Sequence, residues 1–288
     1  MTAQGSDTSS GECNQMLMFL TSAFGFILYV QGVGNRQRTA IVEGCLAVAY
    51  AILIFFPSGS LSYFVSTTNN LPICVFQLVF SCLLAQSIAY QITRNSVQPE
   101  VVFSTTVVNI LTRCSLILCA LYGIQSKFVL NLPCMLTLVI LLPLVLGDFA
   151  HLFSMSSKSY LTIGDPISWH VSVDAMSTFF LGCCALAFPD VFCEKMTESA
   201  GLLTKALGIA VIGQSLLSFA SLCFRSREDA IAILKSKVVM YVLSMFVVLV
   251  SAVNDKAFWS NGHPFYLVGT SLALLYNAGY ALSEHRMY

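Results

Sequence analysis

The chain has 288 residues, of which 57% are hydrophobic and only 10% charged, with a mean hydropathy of +0.79. A soluble domain carries about 25% charged residues, and a bilayer core of about 30 Å is crossed by roughly 20 apolar residues in a helix. Apolar runs of that length recur, so the composition excludes an ordinary soluble domain. Fourteen basic residues balance fourteen acidic ones, which leaves no electrostatic reason to expect nucleic acid as a partner.

In chain order, residues 1–14 read as a polar tail. "MTAQGSDTSSGEC" contains no Lys or Arg, unlike a signal-peptide or transit-peptide start, so the first helix is expected to stay in the protein. Polar, Pro and Gly breaks then mark spans at 15–34, 39–58, 71–92, 101–123, 131–152, 167–188, 201–223, 233–254 and 264–283. For the start of the eighth span "EDAIAILKSK" offers an alternative to helix, an interfacial turn. The expectation is an all-α polytopic transmembrane helical bundle of about nine spans.

Most of the eleven cysteines lie inside these runs (Cys45, Cys82, Cys114, Cys119, Cys183, Cys184 and Cys223), where a thiol packs as a small hydrophobe. No metal-ligand spacing is present. Cys13 and Cys193 fall on the expected non-cytoplasmic side, where a disulfide could join them. Loop Lys and Arg divide nine to three, with Arg36, Arg38, Arg94, Lys158, Arg225, Arg227, Lys235, Lys237 and Arg286 on one side, and Lys127, Lys195 and Lys256 on the other. By the positive-inside rule the richer side is cytoplasmic. The N-terminus is then outside or lumenal and the C-terminus cytoplasmic, in an endomembrane or the plasma membrane.

Landmarks recur at one offset. Glu43 and Asp174, Arg94 and Arg225, and Pro133 and Pro264 are each 131 residues apart, and Pro57 and Pro189 miss that spacing by one. This predicts an internal duplication, with one extra helix at 15–34, a four-helix repeat at 38–153 and a second at 165–288. Four is an even number, so the repeats are parallel, related by an axis along the membrane normal, as in some transporters.

The stretch "SWHVSVDAMSTFFLGCCALAFPDVF" (168–192) has Trp169 near its start and closes on Phe188, Pro189 and Asp190. It is followed by "LLTKALGIAVIGQSLLSFASL". Together these residues resemble the p-fifty-three-inducible membrane protein eleven family, and the helix–Pro–helix layout is similar to DoxX-like four-helix membrane proteins. The resemblance covers about residues 168–225. It implies a membrane protein linked to growth control and carries over no catalytic residue.

Arg113 interrupts the apolar run "VVNILTRCSLILC". An arginine at mid-membrane costs about 2.5–3.5 kcal/mol on insertion scales, so it needs a partner. Helical side chains tilt toward the N-terminus, which points Arg113 toward the cytoplasm. At 1.5 Å per residue it sits about 18 Å deep, Asp174 about 10 Å and Glu43 about 6 Å, with Asp148 shallower still. Asp174 is the best match in depth, and an Arg113–Asp174 contact is expected to join the two repeats. Such a pair is either a fixed structural link or the lining of a watery cavity that binds an anion or relays protons.

Glu43 and Lys205 read as interfacial anchors. Asp148 and His151 share a helix face at i,i+3 spacing and form a candidate proton-linked pair. Asn109, Gln77, Gln86 and Gln214 are expected to hydrogen-bond between helices. The candidate intramembrane polar site is Arg113, Asp174, Glu43 and Asn109.

Motifs for zinc proteases, serine hydrolases and nucleotide loops are missing, so the expectation is a non-enzyme with no cofactor and no metal. Its partners would be the lipid bilayer and other membrane proteins. Two functions stand side by side: a regulator, assembly factor or scaffold acting through partners, and a small-solute or ion transporter with its polar site between the repeats.

Overall fold

The computed structural model describes residues 36–57, 70–125, 142, 144–146, 148, 166–191, 198–254 and 263–285. Secondary structure among them is entirely helical. The elements are α1 (Arg36–Phe55), α2 (Asn70–Thr93), α3 (Pro99–Gln125), α4 (Pro166–Ala187), a 3₁₀ turn (Pro189–Val191), α5 (Glu198–Ser221), α6 (Arg227–Asn254) and α7 (His263–His285). Helical residues at 142–148 mark a further segment between α3 and α4. The expected first span, both members of the Cys13–Cys193 pair and most of the fifth span lie outside the described residues.

Five helical stretches are long and apolar enough to cross a membrane: Ile73–Thr93, Pro99–Gln125, Trp169–Ala187, Ala200–Ser221 and Arg227–Asn254; Ile41–Phe55 is a shorter apolar helix. The distribution of polarity agrees with a membrane setting. Ile41, Phe56, Phe180 and Val253 are exposed on the outside of the bundle, whereas Gln86, Asn109, Thr178, Gln214 and Ser236 are buried. Such an outer surface would be an aggregation liability in water, while polar groups turned inward can bond between helices.

Two central helices organise the packing. α2 packs on α5; α1 packs on α2, and α4 on α5. α3 packs mainly on α5, and α6 packs equally on α2 and α7. α7 packs on α6 and α4, while Leu144 packs against Val42 and Leu46 of α1 and Leu116 and Ile117 of α3. One cluster, Ala89, Val101, Val108, Leu217, Phe224 and Ile233, draws on α2, α3, α5, α6 and the turn after α5.

Local chemistry fixes the helix starts. Pro99 and Glu100 open α3, where a missing N–H costs nothing and an acid meets the positive end of the helix. Ser226 caps α6, its Oγ accepting from Asp229 N at 3.4 Å, and Glu228 and Asp229 fill the first turn. Of the two readings of this segment it is the helix that forms, and it starts at Arg227, earlier than residue 233, because the cap and the two acids begin it. Lys237, counted above as a loop residue, is fully buried and drops out of the cytoplasmic tally without reversing the bias.

The two loops preceding α3 and α6 clasp each other. Ser96 Oγ donates to Asp229 Oδ2 at 2.7 Å, and Gln98 Oε1 accepts from Arg225 N at 3.1 Å and Ser226 N at 3.3 Å.

Close helix approach relies on glycine. A Cβ at Gly208 would lie 2.8 Å from Gly182 O and from Leu186 N, so α4 and α5 touch backbone to backbone. At Gly269 in α7 an added Cβ meets nothing within 4 Å. Gly208→Ala should therefore cost about 1–3 kcal/mol through overpacking, whereas Gly269→Ala should gain up to about 1 kcal/mol from helix propensity. Thermal unfolding of both variants in detergent checks the opposite signs.

Candidate functional site

Two buried ion clusters stand in the bundle. In the first, Arg113 of α3 bridges two carboxylates, Nη2 donating to Glu43 Oε1 of α1 and Nη1 to Asp148 Oδ2 of the 142–148 segment. Ser87 of α2 donates to the other oxygen, Glu43 Oε2, at 3.1 Å. Arg113, Glu43 and Asp148 are 6%, 2% and 5% exposed. One turn before Arg113, Asn109 Oδ1 accepts from Gln86 Nε2 at 2.7 Å.

In the second cluster, Asp174 of α4 is wholly buried. Its Oδ2 accepts from Ser218 Oγ of α5 at 2.8 Å and faces Lys237 Nζ of α6 at 3.1 Å; its Oδ1 accepts from Tyr241 of α6. Lys237 and Tyr241 are four residues apart, on one helix face.

The clusters share a pattern. Serine and carboxylate are 44 residues apart in both, Ser87 with Glu43 and Ser218 with Asp174. Carboxylate, hydroxyl and cation come from α1, α2 and α3 in the first, and from α4, α5 and α6 in the second.

The expected Arg113–Asp174 contact does not form. Depth by residue count treats helices as parallel rods and side chains as points. Arginine is long and tilts toward its helix N-terminus, so Arg113 reaches Glu43, while Asp174 is taken by Lys237 of α6. Glu43 is accordingly no interfacial anchor: its short side chain faces the core and cannot snorkel. Asp148 is likewise buried rather than interfacial, and its proposed partner His151 lies outside the described residues.

Gln77, Gln86 and Gln214 do bond between helices, to Ile54 O, Asn109 and Cys82 O. Lys205 stands over the Tyr122 ring at 5.8 Å, a cation–π contact between α5 and α3.

Sequence reasoning missed Lys237, Tyr241, Ser87 and Ser218. A signal existed for the serines, which are 131 residues apart like Glu43 and Asp174. Lys237 was missed because it was counted among the loop charges although it falls inside the eighth expected span.

Residues 43–281, well over half of the chain, match the family described as a domain of unknown function, DUF8292. The chain belongs to this family. The DUF8292 match begins at Glu43 and ends at Ala281, so both ion clusters fall inside it. No curated protein and no solved structure matches the chain. Among the described residues no group of His, Cys, Asp and Glu could hold a metal ion.

Breaking a buried pair by removing one partner strands a charge and costs about 3–5 kcal/mol. Arg113→Leu is expected to lose that much, since it strands two carboxylates. Combined with Asp174→Leu, the losses should add to within about 0.5 kcal/mol, because the two residues share no partner. Lys237→Met with Asp174→Leu should instead recover much of the loss of either single change. Denaturation of the three single and two double variants in detergent measures both couplings.

Proposed function

We propose that the chain is a non-enzymatic multi-pass membrane protein that acts through membrane-protein partners, in a regulatory, assembly or scaffold role. It is built as one additional helix and two parallel four-helix repeats, about nine spans in all. Its N-terminus is outside or lumenal and its C-terminus cytoplasmic, in an endomembrane or the plasma membrane. Growth control is the role that the likeness to the p-fifty-three-inducible family suggests.

The observation that carries this reading is the pairing of Arg113. A transport site must meet water and release its cargo, whereas this guanidinium is buried and held by carboxylates from two different elements. Ion pairs of this kind fix which helices lie together more than they add net stability. The repeats are supported by the recurring Ser–carboxylate spacing and by the matched packing of α1 on α2 with α4 on α5, and of α3 on α5 with α6 on α2. The crossed third helices also argue against two halves that rock about a central site, since α3 and α6 tie each half to the other.

Water access at the clusters tests the reading. Ser87→Cys and Ser218→Cys each place a thiol of similar size beside a carboxylate. In an otherwise cysteine-free chain in liposomes, a charged, membrane-impermeant thiosulfonate is expected to leave both thiols unmodified from either side. Modification at residue 87 would overturn the dry-core reading in favour of a small-solute or ion transporter.

A further inference from the structure

We infer that the chain holds a site for the phosphoethanolamine headgroup of a lipid, in a cavity between the end of α2, the loop that follows it and the first turns of α6. The cavity has a volume of about 480 Å³. Ile92, Val97, Ile231 and Ala232 give it apolar walls, and the charged side chains of Glu228 and Lys235 stand among them. The membrane-crossing stretch of α2 ends at Thr93 and that of α6 begins at Arg227. The cavity therefore straddles the level at which lipid headgroups lie.

The two charges are free to take a ligand. Other polar groups of the same wall are already engaged, Ser96 with Asp229 and Gln98 with the Arg225 and Ser226 N–H groups. Glu228 and Lys235 are exposed, and neither side chain has an ion pair or hydrogen bond among the described residues. They are seven residues apart, on one helix face, which separates them by about 10 Å along the axis. A charge-assisted hydrogen bond of about 2.8 Å at each end leaves about 5 Å between the ligand's own two charges. The P–O–C–C–N chain of an ethanolamine phosphate has that span.

The order of the charges and the character of the walls select the lipid. Lys235 lies further into the membrane-crossing stretch of α6 than Glu228, so the cation faces the bilayer and the carboxylate faces water. A phospholipid has the matching order, with its phosphate next to the glycerol and its ammonium outermost. A trimethylammonium cannot donate a hydrogen bond to Glu228 and is held instead by aromatic faces. No aromatic side chain is among the described residues that line the cavity. An anionic headgroup without an amine would meet Glu228 and Asp229 with Lys235 alone to balance them. Size agrees as well. A benzene ring in about 150 Å³ takes about 25 Å³ per non-hydrogen atom, so this cavity suits about 20 such atoms. That is enough for the phosphoethanolamine, the glycerol and two ester groups. The acyl chains leave over Ile92 and Val97, which are 45% and 95% exposed.

The test is native mass spectrometry of the full chain in detergent, with equal amounts of phosphatidylethanolamine, phosphatidylcholine and phosphatidylglycerol of one acyl composition. The ethanolamine lipid is expected to be retained about tenfold more than either of the others, the worth of one charge-assisted hydrogen bond. Glu228→Gln should remove its lead over the choline lipid, and Lys235→Gln should lower retention of both. Arg94→Gln removes an exposed charge outside the cavity and should change nothing. All three positions are exposed, so the melting temperature should hold in each variant. Equal retention of the ethanolamine and choline lipids, a lead for the glycerol lipid, or an equal effect of Arg94→Gln overturns the assignment. Glycerophosphoethanolamine, the headgroup without its chains, should displace the lipid only at far higher concentration. Displacement at equal concentration would make a soluble zwitterion the ligand and overturn the lipid. The inference rests on the chain's crossing a membrane, and its readout does not depend on whether the thiols at residues 87 and 218 meet water.

Discussion

A carboxylate buried in an apolar bundle has to be met by a cation from another helix, and the packing of this chain follows from two such meetings. Glu43 sits on α1 and Asp174 on α4. Each takes a hydroxyl from the next helix, Ser87 or Ser218, and a cation from the one after, Arg113 or Lys237. Apolar contact in a membrane is nearly indifferent to which helices touch, because lipid tails are as apolar as leucine. Charge is not indifferent, so the two clusters specify neighbours that oily surfaces alone would leave open.

Around those clusters the interior is made of small and hydroxyl-bearing residues. Gly182 and Gly208 bring α4 and α5 to backbone contact, and Gly213 allows Thr112 of α3 to approach α5, since a Cβ there would lie 2.2 Å from Thr112 Oγ1. The two clusters differ in more than the cation: Arg113 spans two acids, Glu43 and Asp148, whereas Lys237 meets one, Asp174, which Tyr241 also bonds.

Much of the helical layout was legible in the sequence, because runs of about 20 apolar residues are a signal that needs no partner to interpret. The position of Arg113 was equally plain, since a guanidinium in "NILTRCSLI" stands out against its neighbours. Its partners were not legible. Choosing among Glu43, Asp148 and Asp174 requires helix tilt and neighbour order, which depth along one axis does not contain. Lys237 was lost for a local reason: it stands near the start of the expected span at 233–254 and was counted with the loop charges, whereas Ser226, Glu228 and Asp229 start α6 more than two turns before it and place it inside the bundle. The Ser87–Ser218 correspondence was in the text of the chain, but serine is too common for its spacing to be noticed before a carboxylate gives it meaning.

The packing of α3 on α5 also sets a clock. α3 begins at Pro99 and α5 at Glu198, so at synthesis rates of about 5–20 residues per second α3 waits roughly 5–20 s for its main partner. During that interval Arg113 has Glu43 on an earlier helix but no α5 surface to pack on. Until α5 is made, the chain up to α3 is therefore an unfinished object with an open face.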